Sequence, residues 1–297
     1  QETCGAVIEQ NYSIVTIVMK LDSELLSITV LMDDSDNSVR EAVIERLIAR
    51  GEKALSVLEQ FVAENQLNIS AYQQLITEVK ERIAFNKFLN YLNSKDHSLI
   101  DGLVLLTKCV DPQWNESNFL FLVSEMSDDI IKEFSDDNTD FEKLNIFNYC
   151  FFKRFGFNIS LTDTSEEWRE IDKVLEKRDG SSITVSIIYF LLARSVGVEI
   201  HPLCFSGGLI PVFTDEKGKL LFYLNLFKGG ELLVTKNFDD ILRDRGIDFN
   251  FNFVKIEEDM ALVTIYAELL NLSLEGEKLR RIEKIVALFD GKRYLNP

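Results

Sequence analysis

Apolar residues recur every three or four positions from about Val39 to Leu92, while the apolar SIVTIVM (13–19) before them fits the start of either a helix or a strand. Val39, Ala42, Val43 and Leu47 share one helical face, with Ser38 and Glu41 at capping-box spacing before them and Gly51 as a stop. A second helix carries Leu55, Leu58 and Val62 on one face, with Phe61 beside them, and Leu75, Val79 and Ile83 extend the period to about Leu92. Two amphipathic helices joined at a glycine form an αα-hairpin, the unit of HEAT-type repeats. No strict internal repeat turns that unit into an array. The helical period resumes from about Leu99 to Phe155 and breaks at Asp111-Pro112, as proline demands. It breaks again at SDDNTD (135–140), which lacks the glycine and terminal glutamate of an EF-hand loop. That run reads as a solvated loop capping the next helix. Thr164 and Glu167 form another capping box, predicting a helix to about Arg178 that stops at Asp179-Gly180.

Residues 182–195 are apolar on every side, which predicts a helix buried at the centre of its domain and ended by Gly197. The period then changes from 3.6 to 2. VEIHPLCF (198–205) and LIPVF (209–213) read as strands, and DEKGK (215–219) is the turn into LLFYLNLF (220–227). Gly229-Gly230 is a tight turn before ELLVT, and Asn237 is placed to cap a short helix through about Arg243. Two amphipathic helices, 258–271 and 277–289, flank Gly276 with the lengths of one TPR-like hairpin. Strands segregated between helical regions indicate an α+β fold. The expected organisation is a helical HEAT-like region (1–95), a core of one buried helix and a small antiparallel sheet (96–250), and a C-terminal helical hairpin (251–297).

Charge narrows the function classes. Lys and Arg total 32 against 49 Asp and Glu, a formal net charge of −17. Such a surface repels phosphate backbones and anionic membranes and suits a protein partner bearing basic charge. The cysteines Cys4, Cys109, Cys150 and Cys204 are far apart with no CxxC, so they read as mostly buried thiols of a reducing, cytoplasmic compartment rather than a metal or redox site. Only His97 and His201 are available for imidazole chemistry. No metal or cofactor is expected. The longest uncharged helical stretch, Ser181 to Ala193, falls short of the roughly 18–20 residues that span a bilayer. Trp114, Trp168 and the 22 phenylalanines predict a core dominated by aromatic packing.

A nucleophile at the start of a buried helix gains from the helix dipole and free N–H groups, and a base and an acid on neighbouring strands then complete a triad. Four segments appear in that layout: NIFNYCFFKRFGF (145–157), VLEKRDGSSITVSIIYFLLARSVGV (174–198), LCFSGGLIPVF (203–213) and LFYLNLFKGGELL (221–233). In order and spacing they resemble the SirB-type branch of the transglutaminase-like superfamily, bacterial proteins with a helical N-terminal part and a TPR-like C-terminal hairpin. The resemblance runs from about Leu26 to Leu288. It implies a triad whose Cys, His and Asp positions fall here on Ser182, Gly208 and Asn225, with Leu226 in place of the family's proline.

Those departures predict a non-catalytic protein, a degenerate transglutaminase-like domain acting as an interaction module or scaffold. Glycine has no side chain to act as a base, and a serine without one is a poor nucleophile. The alternative is a hydrolase or acyl-transferase rebuilt around Ser182 or Cys204. His201 lies seven residues before Gly208, roughly 23 Å along an unbroken strand. It reads as a surface or edge residue, Cys204 as a packing thiol, and Ser206-Gly207-Gly208 as a strand connection. Arg178 is expected to pair with Asp172 and brace the turn at Gly180.

Overall fold

The computed structural model describes residues 36–65, 69–160, 165–205, 208–215, 219–234 and 258–289. The chain divides into two compact units, Gln1–Asn90 and Tyr91–Pro297. In the first, helices α1 (Asn37–Arg50), α2 (Glu52–Asn65) and α3 (Ile69–Leu92, ending just past the unit boundary) follow one another. Asp36, not Ser38, caps α1, its carboxylate accepting from Ser38 N at 2.8 Å, because the helix begins two residues earlier than the capping-box reading places it. Gly51 ends it with a φ of 65°. The buried face is Val43, Ile44 and Leu47, and it meets Leu55 and Leu58 of α2 and Leu75, Val79 and Ile83 of α3. Ala42 points outward.

The second unit opens with α4 (Leu99–Val110), which stops before Asp111-Pro112, and α5 (Glu116–Ile131). The acidic run then does what a solvated loop does. Thr139 caps α6 (Asp140–Asn148) in a full capping box with Glu142. The helix continues as a π-helix, Tyr149–Arg154, a widening that the apolar period does not reveal. A two-residue strand, β1 (Asn158–Ile159), pairs in parallel with β2 (Asp179–Gly180). Between them the expected long helix does not form. A 3-10 turn (Glu166–Trp168) and a seven-residue helix, α7 (Ile171–Lys177), take its place, and Thr164 lies outside the described residues. The first amide of α7, Ile171 N, donates to Tyr266 Oη at 2.8 Å, so a distant tyrosine caps this helix.

Helix α8 (Ser182–Ser195) is the buried central helix, with every residue from Thr184 to Ala193 buried. Strands β3 (Ile200–Phe205), β4 (Gly208–Thr214), β5 (Leu220–Asn225) and β6 (Glu231–Val234) form an antiparallel sheet in sequential order. Strand β5 stops at Asn225, where a 3-10 turn (Leu226–Lys228) replaces the last two expected strand residues. Helices α9 (Asp259–Asn271) and α10 (Gly276–Val286) form the C-terminal hairpin and pack on α4. The helix expected after Asn237 lies outside the described residues. The result is an α+β fold, with an aromatic core where Phe151 stacks on Phe157 at 4.2 Å and meets Tyr189 edge-on at 5.0 Å. No helix among the described residues is long and apolar enough to cross a membrane.

Gly102 sets the approach of α4 to α9. A Cβ there would stand 2.5 Å from both Val263 Cγ2 and Tyr91 Oη, and that hydroxyl is held by its bond to Ser98 O at 3.1 Å. Alanine gains about 1 kcal/mol of helix propensity over glycine, while overpacking costs roughly 1–3 kcal/mol. Gly102→Ala is therefore expected to lower the unfolding free energy, by up to about 2 kcal/mol. Urea denaturation of the two proteins checks it, and a gain in stability would show that the helices move apart freely.

Candidate functional site

The positions singled out by the triad pattern lie at the N-terminus of α8 and at one end of the sheet. Ser181 is the N-cap. Its Oγ accepts from Thr184 N at 3.1 Å and pairs with Thr184 Oγ1 at 2.8 Å. Its own amide donates to Trp168 O at 2.8 Å. Ser182 follows, partly exposed, and its carbonyl accepts Ser186 Oγ at 2.6 Å. Among the described residues Ser182 Oγ makes no hydrogen bond, and no His, Lys, Asp, Glu or Cys side chain is bonded to it. The hydroxyls that work at this helix start are thus Ser181 and Ser186, which serve the helix itself, and Thr184, which bonds the cap and Arg169 O.

Arg178 closes α7 in the left-handed conformation, φ 62°, the single non-glycine residue of that kind among the described residues. Its carbonyl accepts Asn158 N at 2.8 Å, which seats β1 beside β2 just ahead of α8. The expected pair with Asp172 does not form. Asp172 lies in the first turn of α7 and Arg178 past its last, six residues or about 9 Å further along the axis. Asp172 sits instead 3.3 Å from Lys173 Nζ. The Arg178 guanidinium lies over the Phe157 ring, 5.2 Å from its centroid, with Nη1 buried and without a hydrogen-bond partner. Burial lowers its pKa, but an arginine keeps its charge there.

On the sheet, Gly208 opens β4 opposite Phe205, and Asn225 closes β5 opposite Glu231. The β4–β5 ladder ends at Val212↔Tyr223. Next along β4 is Pro211, which has no N–H to give to β5. Carried on, the register would set Ile210 against Asn225, so Gly208 and Asn225 belong to the same end of the sheet without being joined by the ladder. Ser206 and Gly207 lie outside the described residues.

His201 stands on β3, an edge strand. Because β3 folds back onto β4, it lies four steps from Phe205, about 13 Å along the strand. That is nearer Gly208 than an unbroken strand would allow, yet still at the other end. Its Nε2 is 3.7 Å from Glu199 Oε2. Burial, more than neighbouring charge, lowers its pKa, so the imidazole is neutral at neutral pH. Cys204 faces Leu209 across the ladder and is half-buried.

A buried polar link that the sequence reading missed supports the Asn225 turn. Tyr189 Oη donates to Asn148 Oδ1 at 2.6 Å, and Asn148 Nδ2 donates to Gly230 O at 3.4 Å. Gly230 N in turn donates to Asn225 O at 3.0 Å. Gly230 holds φ 78°, and a Cβ on it would stand 2.7 Å from Asn148 Cγ, so only glycine fits. Full burial keeps the Tyr189 phenol protonated, its pKa well above the ordinary value. The available signal was a tyrosine within an otherwise apolar buried helix, because a buried phenol needs a partner.

The second unit is thus a buried central helix followed by a sequential antiparallel sheet. Residues 119–264 match the family model of the transglutaminase-like superfamily, so the chain carries a transglutaminase-like domain. No curated protein and no solved structure matches the chain. Clefts of about 460 and 710 Å³ lie elsewhere in the second unit, and neither is lined by Ser182, Gly208 or Asn225.

The two neighbouring serines separate structure from chemistry. Ser181→Ala removes an N-cap and is expected to cost about 1 kcal/mol. Ser182→Ala removes a hydroxyl with no bond among the described residues and is expected to stay within about 0.5 kcal/mol of the parent. Thermal and urea unfolding of both variants check this, and a large loss in Ser182→Ala would mean that its Oγ carries a structural bond.

Proposed function

We propose that this is a non-catalytic, degenerate transglutaminase-like protein of the SirB-type branch that works as a protein-interaction module or scaffold. The observation that carries the reading is Ser182. It stands where the resemblance puts the nucleophile, its Oγ has no hydrogen-bond partner among the described residues, and the positions that the resemblance gives to base and acid read Gly208 and Asn225. Removing members of such a triad costs several orders of magnitude in rate. The core around the site is intact, so binding is the use that the fold retains.

The helical hairpins fit this reading. α1 with α2 is taken as the HEAT-like element, and α9 with α10 as the TPR-like one, with domains at 1–95, 96–250 and 251–297. Helical hairpins present faces suited to peptide and protein partners. A net charge of −17 favours a basic partner and speeds its approach. The setting proposed is a bacterial cytoplasm, where the cysteines stay reduced.

The test measures chemistry and binding on one preparation. Amide hydrolysis, ester hydrolysis and amine transfer are followed for the parent, Ser182→Ala and Cys204→Ala, with buffer as reference. All three proteins are expected to match buffer, while light scattering shows the parent forming complexes with partner candidates. Turnover by the parent that disappears in either variant would sink the reading and establish an enzyme with a rebuilt nucleophile.

A further inference from the structure

Helix α5 is covered on one side. Phe119, Val123, Met126, Ser127 and Ile130 are buried, and the helix packs on α7 and α8. The opposite face carries two lines of side chains at helical spacing. Leu120, Ser124 and Ile131 stand at i, i+4 and i+11, and Phe121, Glu125 and Asp128 stand beside them at i, i+4 and i+7. All six are exposed. Phe121 keeps 58% of its surface in water and Ile131 47%, although the helix already has a complete buried face. Three of the eight large apolar side chains exposed among the described residues lie on this one helix. Apolar side chains gathered in water within a polar rim mark an interaction surface.

Charge says what kind of partner fits. Glu125 and Asp128 form no ion pair with a lysine or arginine among the described residues, and neither do Asp136 and Asp137 in the exposed loop beyond. The nearby cations are already engaged, Lys132 with Asp129 at 3.2 Å and Arg154 with Glu133 at 2.7 Å. The negative end of the α5 dipole adds to the same field, with no basic residue in the last turn to offset it. A second copy of the chain brings the same carboxylates, on a helix that has no lysine or arginine of its own. An anionic membrane is repelled. An extended peptide finds no open backbone to bond, because the amides and carbonyls inside a helix are paired within it. A helix with an apolar stripe edged by lysines or arginines satisfies both lines, and its ridges fit the grooves of another helix.

We propose that the outward face of α5 docks a basic amphipathic helix of a partner protein. Its apolar stripe covers Leu120, Phe121 and Ile131, and its cations meet Glu125 and Asp128. The proposal rests on the non-catalytic reading and gives that reading a surface and a partner chemistry.

The test is calorimetric titration of the full chain with a peptide of leucine, lysine and alanine, about 18 residues or five turns long. Its leucines are spaced i, i+3, i+4, i+7, and a second peptide of the same composition has that spacing broken. The patterned peptide is expected to bind at least about tenfold more tightly. Phe121→Ser with Ile131→Ser is expected to weaken it about tenfold, and Glu125→Gln with Asp128→Asn about fivefold. Melting temperatures stay unchanged, because these four side chains are exposed. Glu275→Gln with Glu283→Gln removes as many charges from exposed positions on the C-terminal hairpin and is expected to leave the affinity within about twofold. Equal affinity for the two peptides, no loss in the Phe121 and Ile131 variant, or an equal loss in the Glu275 and Glu283 variant overturns this docking face and leaves the non-catalytic reading standing. A dimer of the free chain in light scattering that Phe121→Ser dissolves gives the face to a second copy and overturns it too. Turnover of an amide or ester by the parent that Ser182→Ala abolishes overturns the non-catalytic reading beneath it, with the peptide affinities read separately.

Discussion

A helix that is apolar on every side has to be covered on every side, and the second unit is organised around that demand. Helix α8 meets α5, α7, α9, β3 and β4, with the short β1–β2 pair near its start. Its few polar side chains are paid out locally. Thr184 Oγ1 bonds Ser181 Oγ and Arg169 O, Ser186 bonds back to Ser182 O, and Tyr189 reaches Asn148. At the far end Ser195 Oγ lies 2.6 Å from Ser127 Oγ of α5, and Arg194 reaches Asp259 of α9. Thr184, Tyr189 and Ser195 therefore fix the place of a neighbour as well as avoiding the cost of an unpaired group, while Ser186 is satisfied within the helix.

The elements most legible in the sequence are those whose signal is local. The limits of α8, the break at Asp111-Pro112 and the Thr139 loop follow from apolar runs, proline and a cap. What was not legible depends on partners distant in the chain. Residues 164–178 carry a capping box and a helical period, yet the helix shortens to α7 because Tyr266, 95 residues away, supplies its first cap, and Lys278 draws Glu166 and Glu170 toward α10. The end of β5 at Asn225 is likewise set by the Gly230 amide and by Asn148 behind it. Apolar periodicity continues through LNLF and has no means of marking that turn.

The candidate site was legible in a different way. Its three positions come from the order of segments that resemble a family, and residue identity puts a glycine and an asparagine where the resemblance implies a base and an acid. The geometry adds that Pro211 ends the β4–β5 ladder before it reaches those positions. It also corrects the distance to His201, because a hairpin shortens the path that an unbroken strand would impose. The Arg178–Asp172 pair failed for a reason that sequence proximity hides. Six residues of helix separate the two groups, and a left-handed cap sends the guanidinium over Phe157.

The two ends of α8 have unequal dependence on chemistry. At its start, the groups that hold the fold are Ser181, Thr184 and the Arg178 carbonyl, and none of these is a triad position. Changing the triad positions leaves caps, ladders and core in place, so the fold has no physical need of a working nucleophile. At its other end Arg194 anchors the helix through its ion pair with Asp259 of α9. Opening that pair would release the tie between α8, α4 and α9, whereas Ser182 Oγ holds nothing among the described residues, so the central helix is fastened at its end and at its cap and not at the position where the resemblance puts a nucleophile.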